Sequence, residues 1–377
     1  MTSPPVVHFN GLDRAYGRLR SEIDAAWARV AASGWYVGGP EVEAFEARFA
    51  AHAGVAHTVG VANGTDAIAL ALRALGVGRD DLVIVPALSA YPTTVGVVQA
   101  QARPLFVDVG EDGLIDPKLV AEALDANPGV RAVVAVHLYG ACADVPALRA
   151  LCEKNGVALL EDAAQAHGAT RFDARAGSWG DAAAWSFYPT KNLGALGDAG
   201  AVTCASDALA ARLRRLRNYG QQNRYEHVEL GFNSRLDPLQ AAILVAKLGA
   251  LDDENRRRRE IGVRYSRAFA DLGPVRPVPV PTGCQPNRHI YAVLVASADR
   301  RASFQKSLMD RGVETLIHYP IAMPDQKASE PAWSASRNFP VARSMCERVV
   351  SLPVHPDLTD DEVERVIAAV RAWAVQG

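Results

Sequence analysis

The sequence predicts an α/β protein: a large domain with a mostly parallel central sheet, then a smaller C-terminal α+β domain. Three observations carry this. Between about residues 55 and 205, short β-branched runs alternate with longer helical patterns. Most of those runs are apolar throughout, as strands are when helices cover both faces of their sheet. After residue 205 the alternation stops and long helical patterns take over. Alternation of this kind places the strands side by side and parallel. The expected division is residues 1–250 and 251–377.

The expected strands, in order, are "HTVGVA" (57–62), "LVIVP" (82–86), "PLFVDV" (104–109), "AVVAVH" (132–137), "VALLED" (157–162), "AAWSF" (183–187) and "GAVTC" (200–204). The helix "DAIALALRAL" (66–75) ends at Gly76, a usual stop residue. Beyond residue 205, "DALAARLRRLR" (207–217) and "DPLQAAILVAKLGAL" (237–251) read as helices. The segment 253–272 reads as a long exposed helix, with the basic run 256–259 as its solvated face. The Pro-rich "GPVRPVPVP" (273–281) is a linker or an edge segment. "TDDEVERVIAAVRAWAV" (359–375) is the last helix.

Composition excludes several function classes. Lys and Arg number 40 against 42 acids, so no global basic field favours nucleic acid or an anionic membrane. The nine histidines show no zinc-ligand spacing, and no metal is expected. Five cysteines lie far apart with no CxxC pair, which argues against a disulfide framework. The start "MTSPPVVHFN" lacks the pattern of a secretory leader, and charges and glycines interrupt every long apolar run. The expected location is the cytoplasm.

Ligands in open α/β sheets collect at the carboxyl ends of the strands. Asp162, Ser186 and His137 fall there. The loop "VANGTDAIAL" (61–70) adds Asn63, Gly64 and Thr65 where a strand turns into a helix. Free N–H groups and a positive dipole end make that place a phosphate seat, although ordinary helix capping gives the same residues. One lysine, Lys191, stands in the otherwise interior segment "WSFYPTKNLGALGDAGAVT" (185–203). A buried ammonium is costly unless it is paired or chemically used. A lysine, an acid, a phosphate seat and a hydroxyl together match the needs of pyridoxal phosphate. Lysine gives the Schiff base, and the acid keeps the pyridine nitrogen protonated.

On these residues the chain resembles the DegT/StrS-type nucleotide-sugar aminotransferases, a pyridoxal-phosphate family of the aspartate-aminotransferase fold (fold type I). The resemblance runs from "SGWYVGGPEVEAFEARFA" (33–50) to "SLPVHPDLTDDEVERVI" (351–367). Its most specific pieces are "VANGTDAIALALRALGVG", "HLYGACADV", "EDAAQAHGA", "WSFYPTKNLGALGDAGAV" and "RNYGQQNRYEHVELGFNSRLDPLQAAIL".

The resemblance implies that Lys191 forms the Schiff base and then shuttles protons, with Asp162 on the pyridine nitrogen and Gln165 near the ring oxygen. Gly64, Thr65 and Ser186 would bind the phosphate. Asn233 would reach across a homodimer interface to the neighbour's phosphate, so that active sites are shared. Two positions depart from the family pattern. Ala90 stands where many relatives have a ring-stacking aromatic, and the aromatic comes one step later at Tyr91, which either stacks or merely packs. Thr190 replaces a glycine before the lysine.

The dehydratase branch replaces the lysine with histidine, so Lys191 favours transamination. The segments 185–198 and 218–237 most resemble the branch that aminates dTDP-linked 3-keto-6-deoxyhexoses. L-glutamate is then the expected donor, and pyridoxamine 5'-phosphate forms within the cycle. Two alternatives stay open: a C4 transaminase of a UDP-, GDP- or dTDP-linked 4-keto sugar, and a non-catalytic cofactor-binding regulator. Arg224 is either a contact to the substrate's diphosphate or a solvated surface group. His318 and Tyr319, in "IHYPI", either touch substrate or pack at a strand end.

Overall fold

The structure, a computed structural model, describes residues 6–330, 333 and 338–376. Residues 1–5, on which the reading of the chain start partly rests, lie outside them. Seven strands form the central sheet: β1 (His57–Val61), β2 (Leu82–Pro86), β3 (Arg103–Val107), β4 (Val130–Val136), β5 (Ala158–Asp162), β6 (Ala182–Ser186) and β7 (Gly200–Cys204). All seven expected runs are strands, with ends within two residues of the reading. The order across the sheet is β1-β7-β6-β5-β4-β2-β3. Only β7 runs against the rest, pairing antiparallel with both β6 and β1.

That one reversed strand shapes the edge where ligands collect. Val61 and Ser186 both pair with Gly200, so the ends of β1 and β6 meet at the start of β7. A side chain at Gly200 would lie 2.3 Å from the Asn63 carbonyl oxygen, which only glycine avoids. The helix Gly64–Ala74 follows β1 and is buried continuously from Ala67 to Leu72. It lies between the sheet and the helices Pro92–Gln99 and Asp207–Leu216. The opposite face is covered in part by Phe45, Phe49, Trp185 and Phe187, whose rings meet edge to face.

The C-terminal unit is built on three antiparallel strands, β8 (Val275–Pro277), β9 (Tyr291–Val295) and β10 (Val349–Leu352), in that order. β8 lies at the edge, as the proline-rich sequence requires. Helices Leu251–Phe269, Arg300–Asp310 and Asp360–Gln376 complete it. Its apolar core also takes in Val7, from the start of the chain.

The helix Leu251–Phe269 corrects an expectation. It is not an exposed helix: Asn255, Arg258, Ile261, Gly262, Tyr265 and Phe269 are buried along one face. Spacings of three and four residues bring those positions together against the small core. Arg258 is therefore part of the interior, at 8% exposure, and burial lowers its pKa to about 10. Its neighbours Arg256 and Arg257 do face outward, in ion pairs with Asp253 and Asp360. Among the described residues, no helix is long and apolar enough to cross a membrane. Nor does any group of three or more His, Cys, Asp or Glu there have the arrangement to hold a metal ion.

Candidate active site

A cleft of about 680 Å³ opens at the carboxyl edge of the sheet. Gly64, Thr65, Asp162, Gln165, Ser186 and Lys191 line it, and His318 and Tyr319 close it from the C-terminal unit. Asn63 caps the helix Gly64–Ala74, its Oδ1 accepting the Asp66 N–H at 2.8 Å. The first-turn N–H groups of Gly64 and Thr65 have no partner within a helix and face the cleft with its positive dipole end. Close packing brings Ser186 to the same place. A Cβ on Gly64 would sit 2.6 Å from Ser186 Cβ, so glycine is what lets the hydroxyl approach the helix start.

Asp162 is the last residue of β5 and is buried. Thr93 donates its hydroxyl to Asp162 Oδ2 at 2.8 Å, and the Ala164 N–H reaches Oδ1 at 3.2 Å. Thr93 also lies 3.0 Å from the Ser89 hydroxyl. Sequence reading missed Thr93. Its place just after Pro92, at a helix start near the edge of β2, was the available signal.

Lys191 lies in the loop between β6 and β7. The loop is tightly wound: the Lys191 N–H donates to the Tyr188 carbonyl at 2.8 Å. A side chain at Gly194 would meet the Pro189 oxygen at 2.3 Å. Asn192 anchors the loop through its Nδ2, which donates to Asn255 Oδ1 at 2.7 Å and to the Asn287 carbonyl at 3.1 Å. Burial disfavours the Lys191 ammonium and lowers its pKa to about 8, with Asp162 acting weakly the other way.

The same burial, with Lys191 a lesser cause, lowers His318 to about 4 and His167 to about 3. His289 is also held well below its ordinary value. These three rings are neutral near pH 7, and no fixed imidazolium competes with the amine.

Gln165 links the two units. Its Oε1 accepts the Tyr139 N–H at 2.6 Å, which fixes the amide so that Nε2 donates to the Tyr319 hydroxyl at 3.0 Å. Burial pushes the Tyr319 phenol up to about 12, so it keeps its proton and has it free to donate. Tyr139 in turn donates its hydroxyl to the His318 carbonyl.

Other expected residues lie elsewhere. His137, a strand-end candidate, is fully buried on the far side of β5, between Glu161 Oε2 at 2.9 Å and the Ala143 N–H at 3.1 Å. Both ring nitrogens are satisfied, so its role is internal packing. Tyr91 does not line the cleft, whereas Ala90 and Pro92 on either side do. The Tyr91 hydroxyl lies 3.1 Å from Ser329 Oγ, and its ring packs on the large core. Arg224 is exposed beside the turn of the hairpin Gln221–Asn223/Glu226–His227, with its guanidinium over the Tyr225 ring. Asn233 is exposed and outside this chain's own cleft, bridged to Asn218. Sequence reading also passed over His289 and Asn287, whose placement depends on contacts distant in sequence.

Residues 18–371 match the model of the DegT/DnrJ/EryC1/StrS aminotransferase family. The chain is 45% identical, over 98% of its length and all of the relative's, to the erythromycin biosynthesis sensory transduction protein EryC1 of Saccharopolyspora erythraea. It is 44% identical to the dTDP-3-amino-3,4,6-trideoxy-alpha-D-glucose transaminase of Streptomyces venezuelae, over 98% of this chain and 97% of that one. The crystal structure of S. venezuelae DesV with a ketimine intermediate superposes with a TM-score of 0.93, at 43% identity, covering 98% of this chain and 99% of that one. The aspartate-aminotransferase-like fold and the catalytic class follow together: the chain belongs to the DegT/DnrJ/EryC1/StrS aminotransferase family.

Proposed function

We propose that this enzyme moves an amino group from L-glutamate to C3 of a dTDP-linked 3-keto-6-deoxyhexose, with pyridoxal 5'-phosphate as cofactor. One observation supports it above the others. The Lys191 amine, the Asp162 carboxylate and the start of helix Gly64–Ala74 line one cleft, as the reactive carbon, ring nitrogen and phosphate of that cofactor require. The name of the S. venezuelae relative puts its amine at C3 of a dTDP sugar, which supports that carbon and nucleotide here. We further propose a cytoplasmic homodimer, with residues 1–250 carrying most of each cofactor site and residues 251–377 closing it.

When bound, pyridoxal 5'-phosphate supplies an aldehyde for an amine and a ring that draws electrons from the carbon losing its proton. This chain's residues do the rest. Gly64 and Thr65 hold the phosphate with backbone N–H groups, and Ser186 adds a hydroxyl. Asp162 holds a proton on the ring nitrogen through a charge-assisted hydrogen bond. Burial brings the Lys191 pKa down to about 8, so near neutral pH a useful fraction of the amine is unprotonated, where an ordinary lysine has almost none. That amine would hold the cofactor's aldehyde carbon and move protons at the substrate carbon. Gln165 and Tyr319 offer donors beside the ring. Asn233 completes the phosphate site of the partner subunit, and its exposure on the free chain supports that reading. Arg224, on an exposed hairpin, is free to meet a sugar diphosphate from the same side.

The test is a panel of nucleotide-linked 3-keto and 4-keto sugars offered with glutamate and followed by mass. Amination of a dTDP-3-keto sugar well above the others is the expected result. Preference for a 4-keto sugar would reassign the carbon. A protein that binds cofactor but aminates nothing would be a regulator.

A further inference from the structure

We propose that Cys142 and Cys284 form an oxidant-modified dithiol, converted by a hydroperoxide to a disulfide that displaces the Asn287 hub and with it the frame of the cleft. All five cysteines are free thiols, and four of them are fully buried. Cys284 alone is only partly buried, on the short strand that pairs with Thr170–Arg171. The Cys142 N–H donates to Cys284 Sγ at 3.3 Å, which lays the Cys284 sulfur against the Cys142 backbone. The two side chains are close enough to influence each other's charge, Cys142 being pushed up and Cys284 down. Arg171 sits beside the pair, its guanidinium on the Cys142 carbonyl at 3.3 Å. The hydrogen bonds from Cys142, with weaker help from His137 and Arg171, hold Cys284 down to about 7 against the effect of burial. Asp144 pairs with the Arg171 guanidinium at 3.1 Å, so it is the contact with Cys142 that mainly holds Cys284 down. A partly accessible thiol with a lowered pKa and a second cysteine beside it is the arrangement that oxidants attack.

The chemistry closes without any metal. The Cys284 thiolate attacks a peroxide oxygen, the O–O bond breaks, and the departing alkoxide takes the proton of the Cys142 thiol. The Cys142 sulfur then attacks Cys284 sulfenic acid, and the S–O bond breaks with loss of hydroxide. Two electrons pass from the sulfurs to the peroxide.

What the new bond would move is visible around it. Bonded sulfurs stand about 2.05 Å apart, far inside any non-bonded contact, so one of the two segments must shift. Neither has slack. The Asn287 N–H donates to the Gly140 carbonyl at 3.2 Å, and a side chain at Gly140 would lie 1.8 Å from Asn287 Oδ1. Asn287, three residues from Cys284, donates to the Gln165 and His167 carbonyls, both at 3.0 Å. Its own carbonyl accepts from Asn192, the residue after Lys191, and its Oδ1 accepts the His289 N–H. A pull on Cys284 is therefore a pull on the frame of Gln165 and Lys191.

The loss of turnover rests on the assigned transamination, whereas the disulfide does not, so the two are read separately. Holoenzyme is titrated with hydrogen peroxide and followed by intact mass, by peptide mapping, by hydrogen–deuterium exchange and by amination rate. We expect a loss of two hydrogens, a single cross-linked peptide joining residues 142 and 284, and faster exchange over 138–142 and 285–290. Turnover should fall by at least about tenfold, since an ångström of misplacement costs that much or more. Dithiothreitol should restore it. Cys284→Ser and Cys142→Ser should keep basal turnover and resist the same exposure. Failure to cross-link overturns the proposal, as does a cross-linked enzyme with unchanged exchange and rate. Equal inactivation of wild type and both variants places the sensitive group elsewhere and overturns it too.

Discussion

Glu161 and Asp162 are adjacent carboxylates at the end of β5, and the pleat of the strand sends them to opposite faces of the sheet. Glu161 is fully buried. Its Oε1 accepts the N–H groups of Trp179 and Gly180, at 2.9 and 2.7 Å. Its Oε2 accepts the N–H of Gly177 and the Nε2 proton of His137, at 2.8 and 2.9 Å. Four donors around one carboxylate leave nothing for a ligand. Asp162 has two, from Thr93 and Ala164, and it lines the cleft beneath Lys191. The first acid ties a loop to the sheet. The second keeps acceptor capacity in reserve. Satisfaction of hydrogen bonds, more than burial, separates the two.

The sharpest break between the two faces is at Lys191. Lys191→Ala should reduce amination by at least about a thousandfold, or roughly 4 kcal/mol of barrier, and abolish the cofactor's visible absorbance band. Its fold should not suffer. Burial lowers the amine from 10.5 to about 8, so the folded state holds fewer protons than the unfolded chain between those values. The group's contribution to stability is therefore least below pH 8 and recovers as pH rises towards 10.5. Apo Lys191→Ala should melt no lower than wild type at pH 7. By the same sign, cofactor capture by the wild-type apoenzyme should speed up as pH rises through about 8. A flat capture profile between pH 6.5 and 9 would remove the neutral-amine argument.

The paired carboxylates give the next test. Asp162→Asn keeps the shape but loses the charge that holds the ring proton. Amination should slow by roughly a hundredfold, with thermal stability nearly unchanged. Glu161→Gln should do the reverse. An amide there turns an N–H toward donors, leaving buried groups unpaired at a cost of about 2–4 kcal/mol of stability. Its kcat, measured well below the melting transition, should stay within about threefold of wild type, because nothing it touches lines the cleft. Equal loss of rate in both variants would mean that the far face also governs the chemistry.

Much of this contrast was legible from sequence on one face only. Uniformly apolar runs located the strands, and strand ends with a turn into "NGT" located Asp162, Ser186 and Gly64. His137 met the same strand-end rule and failed it. That rule says where a residue stands along a strand, while the face depends on the pleat and on Glu161 beneath it. Asn287 gave no signal in "CQPNRHIY", because its importance lies in carbonyls of residues 165 and 167, about 120 positions away. The buried face of helix Leu251–Phe269 was legible in principle. Its basic run drew attention to charge, while the spacing of residues 255, 258, 262, 265 and 269 carried the packing.

The smallest expected effect concerns Thr93, which touches Asp162 without charge of its own. Its hydroxyl occupies Oδ2 and aligns the carboxylate towards the cleft, so it acts through Asp162 as a positioning residue. Thr93→Val preserves the branched shape and removes the donor. Two opposing consequences follow. The carboxylate loses a partner that steadies it, and Oδ2 gains a lone pair free to find another donor. Since a hydrogen bond to a charged group is worth about 1.5–3 kcal/mol and part is regained, kcat should fall by roughly tenfold. KM for the keto sugar should hardly move, because the lost hydrogen bond is to Asp162 and not to the substrate. Thr93→Ser restores the hydroxyl without the methyl and should recover most of the rate. Rescue by serine separates a lost hydrogen bond from a packing defect, which serine would worsen. If Thr93→Ser is as slow as Thr93→Val, the methyl is what matters, and Asp162 is held by its neighbours' shape alone.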